Sequence, residues 1–132
     1  MIFIDTGPLL ARYLGRDAMH ARAVEELAEL ESRRVRLATS NFVLDELFTL
    51  LGRRAGCAFA AERARAIYAS RRLEVLRSTE KDELEAVRLM AGYADQKVSF
   101  TDCVSFALMK ANRIRKALSF DRHFELAGFS SP

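Results

Sequence analysis

The chain opens Met1-Ile2-Phe3-Ile4-Asp5-Thr6-Gly7-Pro8. Four apolar residues, mostly of β type, are stopped by Asp-Thr-Gly-Pro, which reads as a short buried strand ending in a turn. The same alternation repeats along the chain. Leu9 to Leu14 reads as a short helix stopped near Gly15. Asp17 is expected to cap a longer helix with its apolar stripe at Ala21, Val24, Leu27, Ala28 and Leu30 or Glu31. Val35 to Ala38 is a second short strand. Thr39-Ser40-Asn41 offers helix caps to the apolar run Phe42 to Leu51, which ends at Gly52 to Gly56. A fourth helix is expected from about Ala58 to Ser70, and a third strand at Leu73 to Leu76. Thr79-x-x-Asp82 resembles a capping box, followed by Leu84, Val87, Met90 and Ala91 at helical spacing. Thr101-Asp102 opens a helix through Met109, and Ala117 to Phe120 is a fourth strand ended by Asp121. Strands alternating with helices imply βαβ units, hence an α/β domain with a parallel sheet covered on both faces.

Size and composition agree with one such domain over residues 1–132. The chain of 132 residues is half hydrophobic and 30% charged, ordinary for a globular domain and unlike a disordered or collagenous one. No linker, repeat or low-complexity segment divides it. Two cysteines, Cys57 and Cys103, belong to no CxxC pair, so disulfide, zinc and redox readings are weak. The N-terminus lacks a basic leader and no apolar run reaches the ~20 residues of a bilayer span. A reduced, cytoplasmic protein without membrane attachment is expected. The charges sum to +3, and 17 of the 21 basic residues are Arg. That excess is too small to argue a nucleic-acid coat by itself.

Parallel α/β sheets place their sites at the carboxyl ends of strands. Asp5 follows the first strand, and Asp121 the last. Asp102 lies in the first turn of a helix after Val98-Ser99-Phe100. Glu46 is one turn into the helix after the second strand, read as lying on its core-facing side, with Asp45 nearer the flank. Taken singly, an Asp after a strand is ordinarily a turn former or helix cap, and Asp102 a partner of the helix dipole. Converging, the four would repel by roughly 4 kcal/mol per pair at 4 Å and an effective dielectric of about 20. Either their pKa values rise or a cation fills the gap. Oxygen ligands select Mg²⁺ or Mn²⁺, and the chemistry that follows is phosphodiester hydrolysis.

Several runs carry a family resemblance. They are Ile4-Asp5-Thr6, Thr39-Ser40-Asn41-Phe42-Val43-Leu44-Asp45-Glu46, Ser99-Phe100-Thr101-Asp102-Cys103, and Leu118-Ser119-Phe120-Asp121-Arg122-His123-Phe124 through Gly128-Phe129. In order and spacing the chain resembles the PIN-domain nucleases, and among them the VapC-type toxins of toxin–antitoxin pairs. The resemblance implies a three-layer PIN-like domain, with a short parallel sheet of four to five strands between helices. It implies a Mg²⁺- or Mn²⁺-dependent endoribonuclease with Asp5, Glu46, Asp102 and Asp121 as the acidic catalytic and metal site. Asp5 and Asp102 would be the most direct ligands, with Glu46 and Asp121 completing the shell. Thr6 and Thr101 match positions whose hydroxyls support the site. A homodimer and a small VapB-like antitoxin are implied as partners, beside the RNA substrate. The Asp45-Glu46 doublet departs from the pattern, and Asp95 offers a further outer acid or a loop turn.

Other features have plainer readings. His20 suits a surface or packing role, and His123 a structural hydrogen bond near the last strand. Arg12, Arg16 and Arg122, with Arg53, Arg54, Lys97 and Lys110, offer a basic rim for RNA phosphates, although basic residues at helix ends are ordinarily dipole partners. If the four acids share a cleft, 21 basic residues face the remaining 14 of the 18 acids, which would give an anionic pocket within an Arg-rich rim. Two other classes compete. A phospho-receiver domain needs an acceptor Asp after the third strand, where Leu76-Arg77-Ser78 stands. A PIN-like binding module without catalysis differs only in failing a metal-dependent cleavage assay.

Overall fold

A computed structural model describes residues 1–132. Four short strands, β1 (Ile2–Ile4), β2 (Leu37–Ser40), β3 (Leu73–Leu76) and β4 (Lys116–Leu118), form one sheet in the order β3-β2-β1-β4. Every pairing is parallel, as βαβ connections require. A single parallel bridge, Lys116 to Ser130, extends the sheet beyond β4. The helices are α1 (Thr6–Tyr13), α2 (His20–Ser32), α3 (Asn41–Ala55), α4 (Cys57–Ala69), α5 (Glu80–Gly92), α6 (Phe100–Ala111) and α7 (His123–Leu126), with a 3₁₀ turn at Ala94–Gln96.

The central strands β1 and β2 are buried throughout, as strands with helices on both faces must be. Ile4 and Leu37 face Leu9, Leu27 and Ile67 of α1, α2 and α4. Phe3 faces the other way and stacks on Phe124 of α7 at 6.1 Å, and Phe124 meets Phe106 of α6 edge-on at 5.0 Å. The molecule is therefore three layers deep, with the sheet in the middle and one core cluster of 30 buried residues. Thr39 ties the two central strands together, its hydroxyl donating to the Ile4 carbonyl at 2.9 Å.

Local chemistry moves several boundaries from those the sequence suggests. Helix α1 begins at Thr6 and absorbs Gly7 and Pro8, because a first-turn proline gives up only an N–H that has no partner there. Asp17 does not cap α2. Its carboxylate accepts from the Met19 N–H at 2.8 Å, and the helix starts at His20. Strand β2 lies at 37–40 because the Val35 N–H closes the end of α2 on the Leu30 carbonyl. Helix α3 runs through Gly52 to stop at Gly56, whose φ is +94°. On α5 the row Leu84, Val87 and Met90 faces outward, and Ala86 and Leu89 are the residues buried. The capping box at Thr79 and Asp82 forms as read. No helix is long and apolar enough to cross a membrane.

Candidate functional site

The carboxyl edge of the sheet gathers the acids because the chain leaves each strand there. Asp5 leaves β1 with its N–H bonded to the Leu118 carbonyl at 3.0 Å, which holds it level with the end of β4. The residue is only 6% exposed, and its carboxylate accepts from the Ser119 hydroxyl at 2.8 Å. Burial pushes its pKa up to about 7, the Ser119 bond works against that, and the charges of Asp102 and Glu46 add to the rise.

Asp102 is the third residue of α6, whose cap is Ser99: the Asp102 N–H donates to the Ser99 hydroxyl at 3.1 Å. It is 8% exposed. Burial raises its pKa, the hydrogen bond from His123 lowers it, and the charge of Asp121 raises it again. Glu46 departs from the expectation of a core-facing acid: its side chain is exposed, and Val43 and Leu47 are the buried members of α3. It still turns toward the acids, accepting from the Thr6 hydroxyl at 3.1 Å. Asp121 is exposed, and its N–H donates to Ser119 Oγ at 3.0 Å.

His123 joins two of these acids. Its Nδ1 lies 3.0 Å from Asp102 Oδ2 and 3.0 Å from Asp121 Oδ2, and its backbone N–H donates to Asp121 Oδ1. One donor atom each from Asp102, Asp121 and His123 fall within 4.8 Å of one another. The structural hydrogen bond read for His123 is present, and its partners are the site acids themselves. Ser99 and Ser119 carry no role in the sequence reading beyond membership of the motif runs. Ser119 was findable as a hydroxyl at a strand's carboxyl end: just past β4, its Oγ donates to Asp5 and accepts from the Asp121 N–H, which ties the two acids to the same turn.

The remaining candidates divide. Thr6 is in place beside Glu46, and Thr101 sits next to Asp102 in the first turn of α6. Asp45 and Asp95 are exposed and form no ion pair. His20 has the packing role expected, with Nδ1 2.7 Å from the Ala11 carbonyl. Of the basic rim, Arg122 is exposed between Asp121 and His123. Arg12 is not at the site: it pairs with Glu31 at 3.0 Å, in the last turn of α2, which leads to the amino end of β2. Arg16 lies with Arg54, Tyr13 and Phe59 around a separate hollow. The expected Arg-rich rim is thus thin on this edge.

The donor set suits a hard divalent cation. Carboxylates crowd a buried position at which ionisation is costly without a compensating charge. The thiol of Cys103 is a poor ligand beside them, since burial, with the charge of Asp102, pushes its pKa up to about 11. With Nδ1 engaged by the acids, His123 serves better as a positioning group than as a ligand.

Comparison with known proteins agrees with this geometry. The sequence profile of the PIN domain matches residues 2–130. The 23S rRNA-specific endonuclease VapC20 of Mycobacterium tuberculosis is 38% identical over 129 residues, covering 98% of this chain and 95% of that protein, in both strain CDC 1551 / Oshkosh and strain H37Rv. The crystal structure of M. tuberculosis VapC20, described as a sarcin–ricin loop cleaving toxin, superposes with a TM-score of 0.91 at 35% identity, over 100% of this chain and 98% of that one. A profile match over nearly every residue, together with a relative alike in sequence and fold from end to end, means that this chain belongs to the PIN domain family.

Proposed function

We propose that this protein is an endoribonuclease that hydrolyses RNA phosphodiester bonds with Mg²⁺ or Mn²⁺ and acts as the toxin of a toxin–antitoxin pair. The observation that carries the reading is the buried Asp5 carboxylate, its pKa pushed to about 7, facing Asp102 at the carboxyl edge with Glu46, Asp121 and His123 around them. Asp5 and Asp102 would be the direct metal ligands, and Glu46 and Asp121 would complete the shell. The bound ion would supply positive charge and activate a water for in-line attack on phosphorus.

The chain's own residues prepare that site. The Ser119 hydroxyl fixes Asp5. The Thr6 hydroxyl aims Glu46 inward. His123 holds Asp102 and Asp121 together, and as a donor it offsets part of their repulsion. Arg122, exposed beside Asp121, would meet a substrate phosphate. The activity of VapC20 makes 23S rRNA and its sarcin–ricin loop the first substrate to try. A homodimer, a cytoplasmic location and a small antitoxin that inserts a basic residue among the acids complete the proposal.

The test is cleavage of 23S rRNA with Mg²⁺ or Mn²⁺, with EDTA, and by Asp5→Ala and Asp102→Ala. Loss of cleavage and of growth inhibition in both variants, with the fold intact, is expected. Undiminished cleavage by both, or in EDTA, would overturn the reading.

A further inference from the structure

A dense basic surface lies on the edge opposite the acids. Helices α2, α4 and α6 all end at the amino edge of the sheet, and basic residues follow each one. Arg34 follows α2, Arg71 and Arg72 follow α4, and Arg113, Arg115 and Lys116 follow α6. All six are exposed, and none has a carboxylate partner. The nearby acids are already engaged: Glu29 pairs with Arg33, Glu31 with Arg12, and Glu74 with Arg36. The six cations therefore present an uncompensated charge.

Their placement is level. Leu37 is in register with Leu73, and Ile2 with both Leu37 and Lys116. The basic residues before β2, β3 and β4 consequently line one edge across three strand spacings, about 14 Å. Arg34, Arg36, Arg71 and Arg72 line a hollow of about 400 Å³ together with Glu31 and Glu74, whose carboxylates are taken by Arg12 and Arg36. A helix C-terminus favours a cation, but one per helix end would serve, and here several follow α4 and α6.

The backbone supplies an independent sign. Arg34 and Arg113 have φ of +53° and +56°. Each follows a helix whose end is closed by the next residue, Val35 to the Leu30 carbonyl and Ile114 to the Met109 carbonyl. That is the left-handed position where glycine or asparagine is ordinarily found, because a Cβ is strained there. At both positions the chain instead carries a long cation that projects beyond the helix end.

We propose that this amino edge is a second RNA-binding surface, which grips the sugar–phosphate backbone of the substrate away from the acidic edge. Rigid guanidinium forks suit phosphate oxygens, and the low aromatic content of the edge fits backbone contact rather than base stacking. The surface rests on the nuclease reading for the identity of its RNA, and it predicts that long folded RNA is held at two places and a short oligonucleotide at one.

The left-handed arginines make the test clean, since Arg34→Gly and Arg113→Gly relieve backbone strain. The variant R34G/R71S/R72S/R113G is compared with wild type, with R34G/R113G as the control for folding. Binding to purified 23S rRNA is measured in EDTA across salt concentration, and cleavage is measured on that RNA and on a ten-nucleotide oligoribonucleotide. The expected result is a binding slope against log salt reduced by roughly 3, with long-RNA kcat/KM lowered about tenfold, oligonucleotide cleavage unchanged, and R34G/R113G melting no lower than wild type. An unchanged slope and unchanged long-RNA cleavage would overturn the surface while leaving the nuclease reading standing. Equal losses on both substrates would also overturn it. A wild type that neither binds nor cleaves the RNA would remove both.

Discussion

Asp5→Asn is expected to stabilise the metal-free protein at pH 8 while removing its activity. In the folded state burial raises the Asp5 pKa from 3.8 to about 7. Below pH 3.8 the group is protonated in folded and unfolded chains alike. As pH rises from there to about 7 the unfolded chain ionises first, so the folded state binds more protons and stability falls. Above 7 both are ionised, and the full cost stands. At 1.36 kcal/mol per pH unit the separation of the two pKa values is worth about 4 kcal/mol. Asparagine keeps the shape, and its amide oxygen can still accept from Ser119, but it carries no charge. Urea unfolding of wild type and Asp5→Asn in EDTA should therefore diverge by up to about 4 kcal/mol at pH 8 and converge at pH 4. Added Mn²⁺ should stabilise wild type, by about 2.7 kcal/mol at a concentration 100 times Kd, and the variant far less. Equal stability of the two proteins at pH 8 in EDTA would refute the claim that the Asp5 charge is held in the fold at a cost.

His123→Ala should weaken Mn²⁺ affinity and cleavage by about 10- to 100-fold, the range for loss of a group that orients ligands. A Mn²⁺ titration of kcat/KM separates this from a folding defect, because saturating metal should recover part of the rate. On α5, Leu89→Ala should cost about 2–5 kcal/mol as a buried deletion, and Leu84→Ala, which is exposed, less than about 0.5 kcal/mol. Equal costs in denaturant unfolding would contradict the outward orientation of the Leu84 row.

Element type was legible because strands of three or four residues between breakers leave few other readings. Boundaries slipped where one side chain decided them. Pro8 reads as a breaker in sequence, yet in a first turn it is harmless. Ser119 extends an apolar run on paper, yet its hydroxyl is taken by Asp5 and the Asp121 N–H. On α5 the period was right and the phase was not, since Leu84, Val87 and Met90 are as apolar as a core stripe and only packing against α6 selects Ala86 and Leu89. Among the site residues, the positions of Asp5 and Asp121 follow from strand ends alone. The role of His123 does not, because its partner Asp102 is 21 residues away. Arg12 shows the opposite limit: it was read as part of a basic rim for phosphates, and helix α1 carries it instead to Glu31.

The polarity of a parallel sheet accounts for both charged edges at once. With the strands aligned, the helices that follow them begin at the carboxyl edge, and those that lead to the next strand end at the amino edge. Helix N-termini carry partial positive charge and C-termini partial negative charge, so acids at the starts of α1, α6 and α7 and arginines past the ends of α2, α4 and α6 are each on the favourable side. The dipoles ease the crowding of the acids without cancelling it, as the raised pKa of the buried Asp5 shows. A net charge of +3 then conceals two opposed fields at the ends of one sheet. A polyanion meets repulsion at the carboxyl edge until a cation is bound there, and attraction at the amino edge whether or not one is. On this electrostatic ground the proposed RNA capture and the proposed metal-dependent cleavage would be separable steps, assigned to opposite ends of the same four strands.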